Sequence, residues 1–167
     1  YITFDGNNKV IKNVQFERAL FGMASDSTIK NLGVENYNIN YVGDKLKAFA
    51  GFVIAGYRTT IENCWCEGEI NVVSYRSNEY EDVTIGGFCS WANTKVVIKN
   101  CYSKTEITFS KSNPNGVSGY YTNIDIGGFI GSYSGIIENC YSITSCNTTE
   151  DFRAFLFGVI FFLVFLI

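Results

Sequence analysis

The chain is rich in side chains that could do chemistry, yet it lacks the residue most often used for it. It contains six cysteines, 16 acidic residues and 13 basic residues, but no histidine. Histidine is the commonest general base and the commonest metal ligand near neutral pH. Any reactive centre would therefore have to be built from thiols, carboxylates and amines. We predict no catalytic residue, no metal site and no cofactor.

The cysteines are the most regularly placed of these groups. Cys64, Cys101 and Cys140 each follow an asparagine in the same short phrase. Free cysteine packs as a small apolar residue, so we favour a buried column of thiols. A bridge between adjacent copies is the alternative, because an even cysteine count is compatible with disulfides. The Cys64-Trp65-Cys66 segment lacks the spacing of a zinc pair.

The phrase itself is an internal repeat. Isoleucine, then lysine or glutamate, then asparagine, then leucine or cysteine occurs four times, with a weaker copy around Asn13. Asparagine tolerates the left-handed backbone conformation, and its amide can bond to the copy above, so the repeat predicts a column at a bend. The acidic and basic residues before the asparagines predict a water-facing charge column. The four asparagines are Asn31, Asn63, Asn100 and Asn139.

A second landmark precedes each asparagine, and a third apolar segment follows it. The second landmark is an apolar residue beside glycine, and the pairs Glu67-Gly68 and Lys104-Thr105 look like turns between segments. Apolar residues alternate with polar ones, which predicts three short strands per copy. The apolar landmarks are Leu20, Phe52, Phe88 and Phe129.

These copies predict an all-β fold, a parallel β-helix (solenoid) of four to five coils. One copy cannot bury its apolar face alone, whereas stacked copies pair their backbones and share a core. The repeat domain covers residues 1–153. Its copies are a partial one near 1–19, then 20–47, 48–82, 83–122 and 123–153.

The sequence also resembles a known family. Residues 127–142, Gly-Gly-Phe-Ile-Gly-Ser-Tyr-Ser-Gly-Ile-Ile-Glu-Asn-Cys-Tyr-Ser, are similar to the GLUG repeat of bacterial surface proteins, and residues 4–13 resemble the segment that leads into it. The resemblance implies a right-handed β-helix in a secreted or cell-surface protein. Members include adhesins and the non-catalytic part of IgA-specific metallopeptidases.

We expect the insertions after the third strand of each copy to form the working surface. They are residues 41–47, 74–82, 110–122 and 147–153. Tyrosine offers rigid contact area with a polar tip, which suits recognition of a protein or a glycan. The plainer alternative is that these tyrosines cover the bases of the loops. The candidate binding residues are Tyr41, Tyr75, Arg76, Tyr80, Tyr120 and Tyr121.

The resulting functional hypothesis is a rigid extracellular or cell-surface module for binding or display, acting in adhesion to a host or neighbouring-cell protein or glycan. Two alternatives stay open: an accessory segment of a secreted metallopeptidase, and a carbohydrate-active β-helix enzyme. No acidic set recurs in the sequence in a way that marks a groove. Nucleic acid is excluded as a partner, because the net charge is -3 and there is no basic block.

The last segment, residues 154–167, departs from the repeat and is almost wholly apolar. Leu156-Phe157-Gly158 resembles the start of a further copy. The segment is shorter than the roughly 20 residues that span a bilayer. We interpret the chain as a piece of a longer protein, in which this segment begins a further coil or makes contact with a membrane.

Overall fold

The computed structural model describes residues 1–43, 48–75, 81–112 and 121–148. The regular elements in these ranges are β-strands, as expected from the alternation of apolar and polar residues. In chain order they are β1 (Ile2–Phe16), β2 (Phe21–Ser25), β3 (Ser27–Gly43), β4 (Ala48–Ala50), β5 (Val53–Tyr57), β6 (Thr60–Tyr75), β7 (Glu81–Gly86), β8 (Cys89–Ala92), β9 (Val97–Lys99), β10 (Tyr102–Ser112), β11 (Tyr121–Gly127), β12 (Ile130–Tyr133), β13 (Ile136–Glu138) and β14 (Tyr141–Thr148).

The strands form three sheets, and the strand pairs within them are parallel. The largest runs β1-β3-β6-β10-β14, with β9 and β13 alongside; the others run β12-β8-β5-β2 and β11-β7-β4. Each strand pairs with its equivalent in the next copy, and we call the strands contributed by one copy a rung. The prediction of an all-β chain with parallel pairing is confirmed.

Among the described residues, the expectation of three strands per copy is wrong for the 20–47 copy, which carries β2 and β3, and for the last two copies, which carry four strands each. Residues 81–112 carry β7 to β10, and residues 121–148 carry β11 to β14. The additional strand comes from the asparagine bend, which divides β9 from β10 and β13 from β14, whereas β3 and β6 continue through the equivalent bends at Asn31 and Asn63. The pairs Glu67-Gly68 and Lys104-Thr105 are not turns either, because they lie inside β6 and β10.

Aromatic rings stacked along the molecule form the centre of the core. Phe52, Phe88 and Phe129 are fully buried, with ring centroids 4.8 Å and 4.9 Å apart in successive pairs. At the first rung Leu20 is only partly buried, and the ring of Phe21 lies 5.4 Å from that of Phe52. Burial of each such side chain contributes about 1.5–3 kcal/mol relative to exposure.

The bend that we call the asparagine corner is built the same way in four rungs. Asn31, Asn63, Asn100 and Asn139 have φ values of 56°, 53°, 54° and 51°. The side-chain amide of each donates to the residue one rung earlier, with N–O distances of 3.0, 3.1, 3.2 and 3.3 Å. The first of these bonds ends on the Asp5 carboxylate, so every amide in the file points toward the N-terminal end.

A column of alternating charge runs beside the asparagine corner. Asp5, Lys30, Glu62, Lys99 and Glu138 occupy successive register positions. Lys30 Nζ lies 3.4 Å from Asp5, and Lys99 Nζ lies 3.1 Å from Glu62. Each exposed pair contributes at most about 1 kcal/mol, but opposite charges in register favour this alignment of the strands over others.

A second bend, which contains Gly87 and Gly128 and which we call the glycine corner, is buried and uses hydroxyl groups instead. The Gly128 carbonyl accepts hydrogen bonds from Ser103 at 2.9 Å and from Ser142 at 2.8 Å. The Gly87 carbonyl accepts one from Thr105 at 3.3 Å. A side chain at Gly87 would collide with the Gly128 carbonyl, so the close approach of these backbones requires glycine.

Candidate functional site

Half of the six predicted binding residues lie outside the described residues. These are Arg76, Tyr80 and Tyr120. Tyr121 begins β11, where its backbone is paired with Glu81. Tyr75 ends β6 with 39% of its surface exposed.

The placement of Tyr41 in a loop is wrong. Tyr41 belongs to β3, pairs in register with Val72, and its ring lies 5.1 Å from that of Phe49 against the core. The strands also run further into the predicted insertions than expected, because residues 41–43, 110–112 and 147–148 are strand. In the described part of the chain, Tyr41 contributes to the core rather than to a binding loop.

The structure shows a different surface, which we call the outer face. It is the solvent side of β3, β6, β10 and β14, and it carries a row of aromatic rings. Trp65, Tyr102 and Tyr141 stack nearly parallel, with centroids 5.5 Å and 5.0 Å apart. A side chain at Gly33, the register partner of Trp65, would collide with the indole, so Gly33 leaves room for the ring at that end of the row. Tyr141, at the other end, is 47% exposed.

A groove of about 460 Å³ lies beside this row. It is lined by Glu35, Glu67, Glu69 and Glu106, with Lys104 as the one basic residue among its lining residues. These acidic residues meet through the register of the strands, although the sequence showed no recurring acidic set that marks a groove. Glu35 lies opposite Glu67 in register, and Glu69 lies opposite Glu106.

The carboxylates of the groove are hydrogen-bond acceptors carried by paired strands of the largest sheet. Tyr102 donates its hydroxyl to Glu67 at 3.1 Å, and Lys104 Nζ lies 3.9 Å from the same carboxylate. Burial, with a further contribution from Glu67, raises the pKa of Tyr102, so the hydroxyl stays protonated and donating. Glu69 and Glu106 face each other as like charges, which is unfavourable until hydroxyl or amine groups of a ligand approach them.

Sequence reasoning missed this face, although one signal was present. Trp65, Tyr102 and Tyr141 each directly follow the cysteine of the repeated phrase. Because side chains alternate along a strand, a residue next to a buried cysteine must point outward. The acidic residues gave no such signal, because the register between strands decides which carboxylates lie opposite each other.

The cysteines of the repeat lie inside, as free thiols. Cys64, Cys101 and Cys140 have 1%, 1% and 2% of their surface exposed. Burial raises the pKa of Cys89 to about 12, so that thiol is inert as a nucleophile. Across the described ranges, no cluster of three or more cysteine or acidic side chains is arranged to hold a metal ion.

No family model matches this chain, and neither curated proteins nor solved structures give a match. Within residues 1–43, 48–75, 81–112 and 121–148, no helix has the length and apolar character needed to cross a membrane.

Proposed function

We propose that this chain is part of a right-handed parallel β-helix of four to five coils that serves as a rigid binding or display module of an extracellular or cell-surface protein. The similarity of residues 127–142 to the GLUG repeat supports the family and the setting. The ladders of asparagine, charge and phenylalanine support the coiled stacking, since like residues lie above like residues.

The outer face is the surface that we assign to binding, in place of the tyrosine loops. The observation that carries this assignment is the groove beside the aromatic row, where Glu69 and Glu106 stand opposite each other on neighbouring strands. Carboxylates accept hydrogen bonds from the hydroxyls of a glycan or the amines of a protein. A parallel sheet holds them with little freedom, which lowers the entropic cost of binding.

The test is binding of the whole chain to immobilised glycans and extracellular-matrix proteins, measured by biolayer interferometry. We expect the double variant Glu69→Gln/Glu106→Gln to weaken binding at least about tenfold, the loss of about 1.4 kcal/mol. Glu138→Gln, which removes the same charge from β13 beyond the asparagine corner, serves as the matched control and should leave binding unchanged.

Three results would count against the proposal. The first is an absence of binding to every surface, and the second is an equal loss of binding in the control and the double variant. The third is release of cleaved glycan product that disappears on substitution of one acidic residue, which would make the chain an enzyme.

A further inference from the structure

Two tyrosines of the outer face lie in direct register. Tyr102 in β10 pairs with Tyr141 in β14, and their ring centroids are 5.0 Å apart with planes inclined by only 8°. This separation is close to the spacing of paired strands, which is about 4.7–4.9 Å. The sheet therefore holds two phenol rings nearly parallel and in contact.

The other side of the Tyr102 ring is covered as well. Trp65 pairs in register with Tyr102, and the indole lies 5.5 Å from the phenol ring at an angle of 2°. Tyr102 therefore lies between Trp65 and Tyr141. A reactive form of its ring meets Tyr141 before it meets a tyrosine of another molecule, because groups held in contact react as if at very high concentration.

The hydroxyl of Tyr102 already has a proton acceptor. It donates to the carboxylate of Glu67 at 3.1 Å. Burial, and then the hydrogen bond to Glu67, raise the pKa of Tyr102, so the phenol is protonated near neutral pH. A phenol that loses an electron becomes a strong acid, and a carboxylate within hydrogen-bond distance can take its proton at once. Tyr102 is thereby prepared for one-electron oxidation.

A bond between the two rings requires a change of side-chain torsion and no new fold. The carbons that join must approach to about 1.5 Å, the length of a carbon–carbon single bond. The rings reach this distance when they turn about χ2 and lean toward each other, and χ2 of tyrosine has a broad, soft profile. Tyr141 is 47% exposed, so it has room to turn and is accessible to an oxidant.

We propose that Tyr102 and Tyr141 form a dityrosine site, at which a haem peroxidase acting with hydrogen peroxide joins β10 to β14 through a carbon–carbon bond, with Glu67 accepting the proton of Tyr102. The bridge goes beyond ligand binding. It fastens two successive rungs by a covalent bond where hydrogen bonds and packing hold them otherwise.

The reaction is a two-electron oxidation of the pair. Each tyrosine gives up one electron and its hydroxyl proton, which leaves two phenoxyl radicals. The radicals couple at ring carbons adjacent to the oxygen-bearing carbons. The hydrogens on the joined carbons then leave as protons, and the two oxygens regain protons. In all, two electrons and two protons are removed, and they reduce one molecule of hydrogen peroxide to two molecules of water.

The experiment treats the folded full chain, at micromolar concentration, with a haem peroxidase and hydrogen peroxide near neutral pH. The monomer is then isolated, and its mass, its dityrosine fluorescence and its cross-linked peptides are measured. We expect a monomer that has lost two hydrogens, shows dityrosine fluorescence and yields one linked peptide pair that contains Tyr102 and Tyr141.

Two phenylalanine variants separate this site from general oxidation of tyrosines. Tyr141→Phe keeps an aromatic ring in the stack but cannot form a phenoxyl radical, so it should lose the cross-link. Tyr133→Phe changes a tyrosine of similar exposure, 45%, on β12 of the same rung, and should keep the cross-link. Dityrosine found only in covalent oligomers, a bridge between other residues, or an unreacted monomer would overturn the proposal.

A second pair of variants tests the proton acceptor. Glu67→Gln can accept the hydrogen bond but not the proton, so we expect the rate of cross-linking to fall at least about tenfold and to rise with the concentration of buffer base. Glu62→Gln removes the same charge from β6 at a carboxylate that pairs with Lys99, and should leave the rate unchanged. Equal rates in the two variants would overturn the role of Glu67. These results are read from covalent mass, so they do not depend on whether the outer face binds a ligand.

Discussion

The glycine corner and the asparagine corner both bend the chain, but they do so with different chemistry. At the glycine corner the backbones approach closely inside the core, and side chains of neighbouring strands, such as Ser103 and Ser142, donate hydrogen bonds to the buried carbonyl of Gly128. At the asparagine corner the turn faces water, and each residue adopts a positive φ and bonds to its equivalent in the adjacent rung. The buried bend therefore uses hydroxyl groups to satisfy its carbonyl, whereas the bend that faces water uses a ladder of asparagine amides.

The two corners should also differ in how much they contribute to the free energy of unfolding. The glycine corner lies against the stacked rings of Phe52, Phe88 and Phe129, which are fully buried. A buried polar group without a partner costs about 1–3 kcal/mol, so the hydroxyls there are required wherever the rings pack. The exposed amides of the asparagine corner compete with water and contribute less per bond. Substitutions should therefore cost most at the glycine corner.

The largest effect is expected from Phe88→Ala. The ring of Phe88 stacks between those of Phe52 and Phe129, and its removal leaves a cavity that the rungs cannot close. We expect a loss of about 3–5 kcal/mol in the free energy of unfolding, measured by urea denaturation. Phe4→Ala, at a ring that is 45% exposed, is the matched control and should cost about 1 kcal/mol. Equal losses would remove the distinction between core and edge.

An intermediate effect is expected at the asparagine corner. Asn100→Ala places a residue whose side chain forms no local hydrogen bond at a φ of 54°, which costs about 1–2 kcal/mol, and it also removes the two ladder bonds to Asn63 and Asn139. Asn100→Gly keeps the backbone free to turn and loses only the two ladder bonds, worth about 0.5–1 kcal/mol each. The two variants compared by urea denaturation separate the two contributions. An alanine variant as stable as the glycine variant would show that the positive φ carries no cost.

The smallest effect is expected from Asp5→Asn, and it appears only as a function of pH. The backbone N–H of Asn7, then the amide of Asn31, lower the pKa of Asp5 in the folded chain. A carboxyl with a lowered folded pKa stabilises above its unfolded value of about 3.9, and this contribution disappears as the pH falls through the folded pKa. The urea midpoint of the wild type should therefore exceed that of the variant by a larger margin near pH 6 than near pH 3. A gap that stays constant with pH would contradict the assignment.

The all-β character and the parallel pairing followed from the repeat, because equivalent residues at a regular spacing can share a core only by stacking. The strand ends did not follow. Gly43 and the pair Glu67-Gly68 look like turn residues, yet they lie in β3 and β6. Gly68 is needed because the ring of Tyr37 packs over it, a contact that depends on a register shift between Glu35 and Tyr37.

The candidate site was harder to predict than the fold. The tyrosine loops were chosen because insertions are where repeat proteins vary, but Tyr41 turned out to pack against Phe49. The pairing of Glu69 with Glu106 could not be anticipated, because a shift of one residue between β6 and β10 would separate the two carboxylates. The aromatic row needed only the position after each cysteine, so it was within reach of the sequence.

The alternating charge column sets a rule for how such a chain can change length. Loss of the rung that carries Glu62 would bring Lys30 directly beside Lys99, and loss of either lysine rung would likewise join two carboxylates. Removing two consecutive rungs restores the alternation of sign. Duplication and deletion in the parent gene should therefore be tolerated best in even numbers of repeats. An odd change in the number of repeats would place like charges next to each other in this surface column.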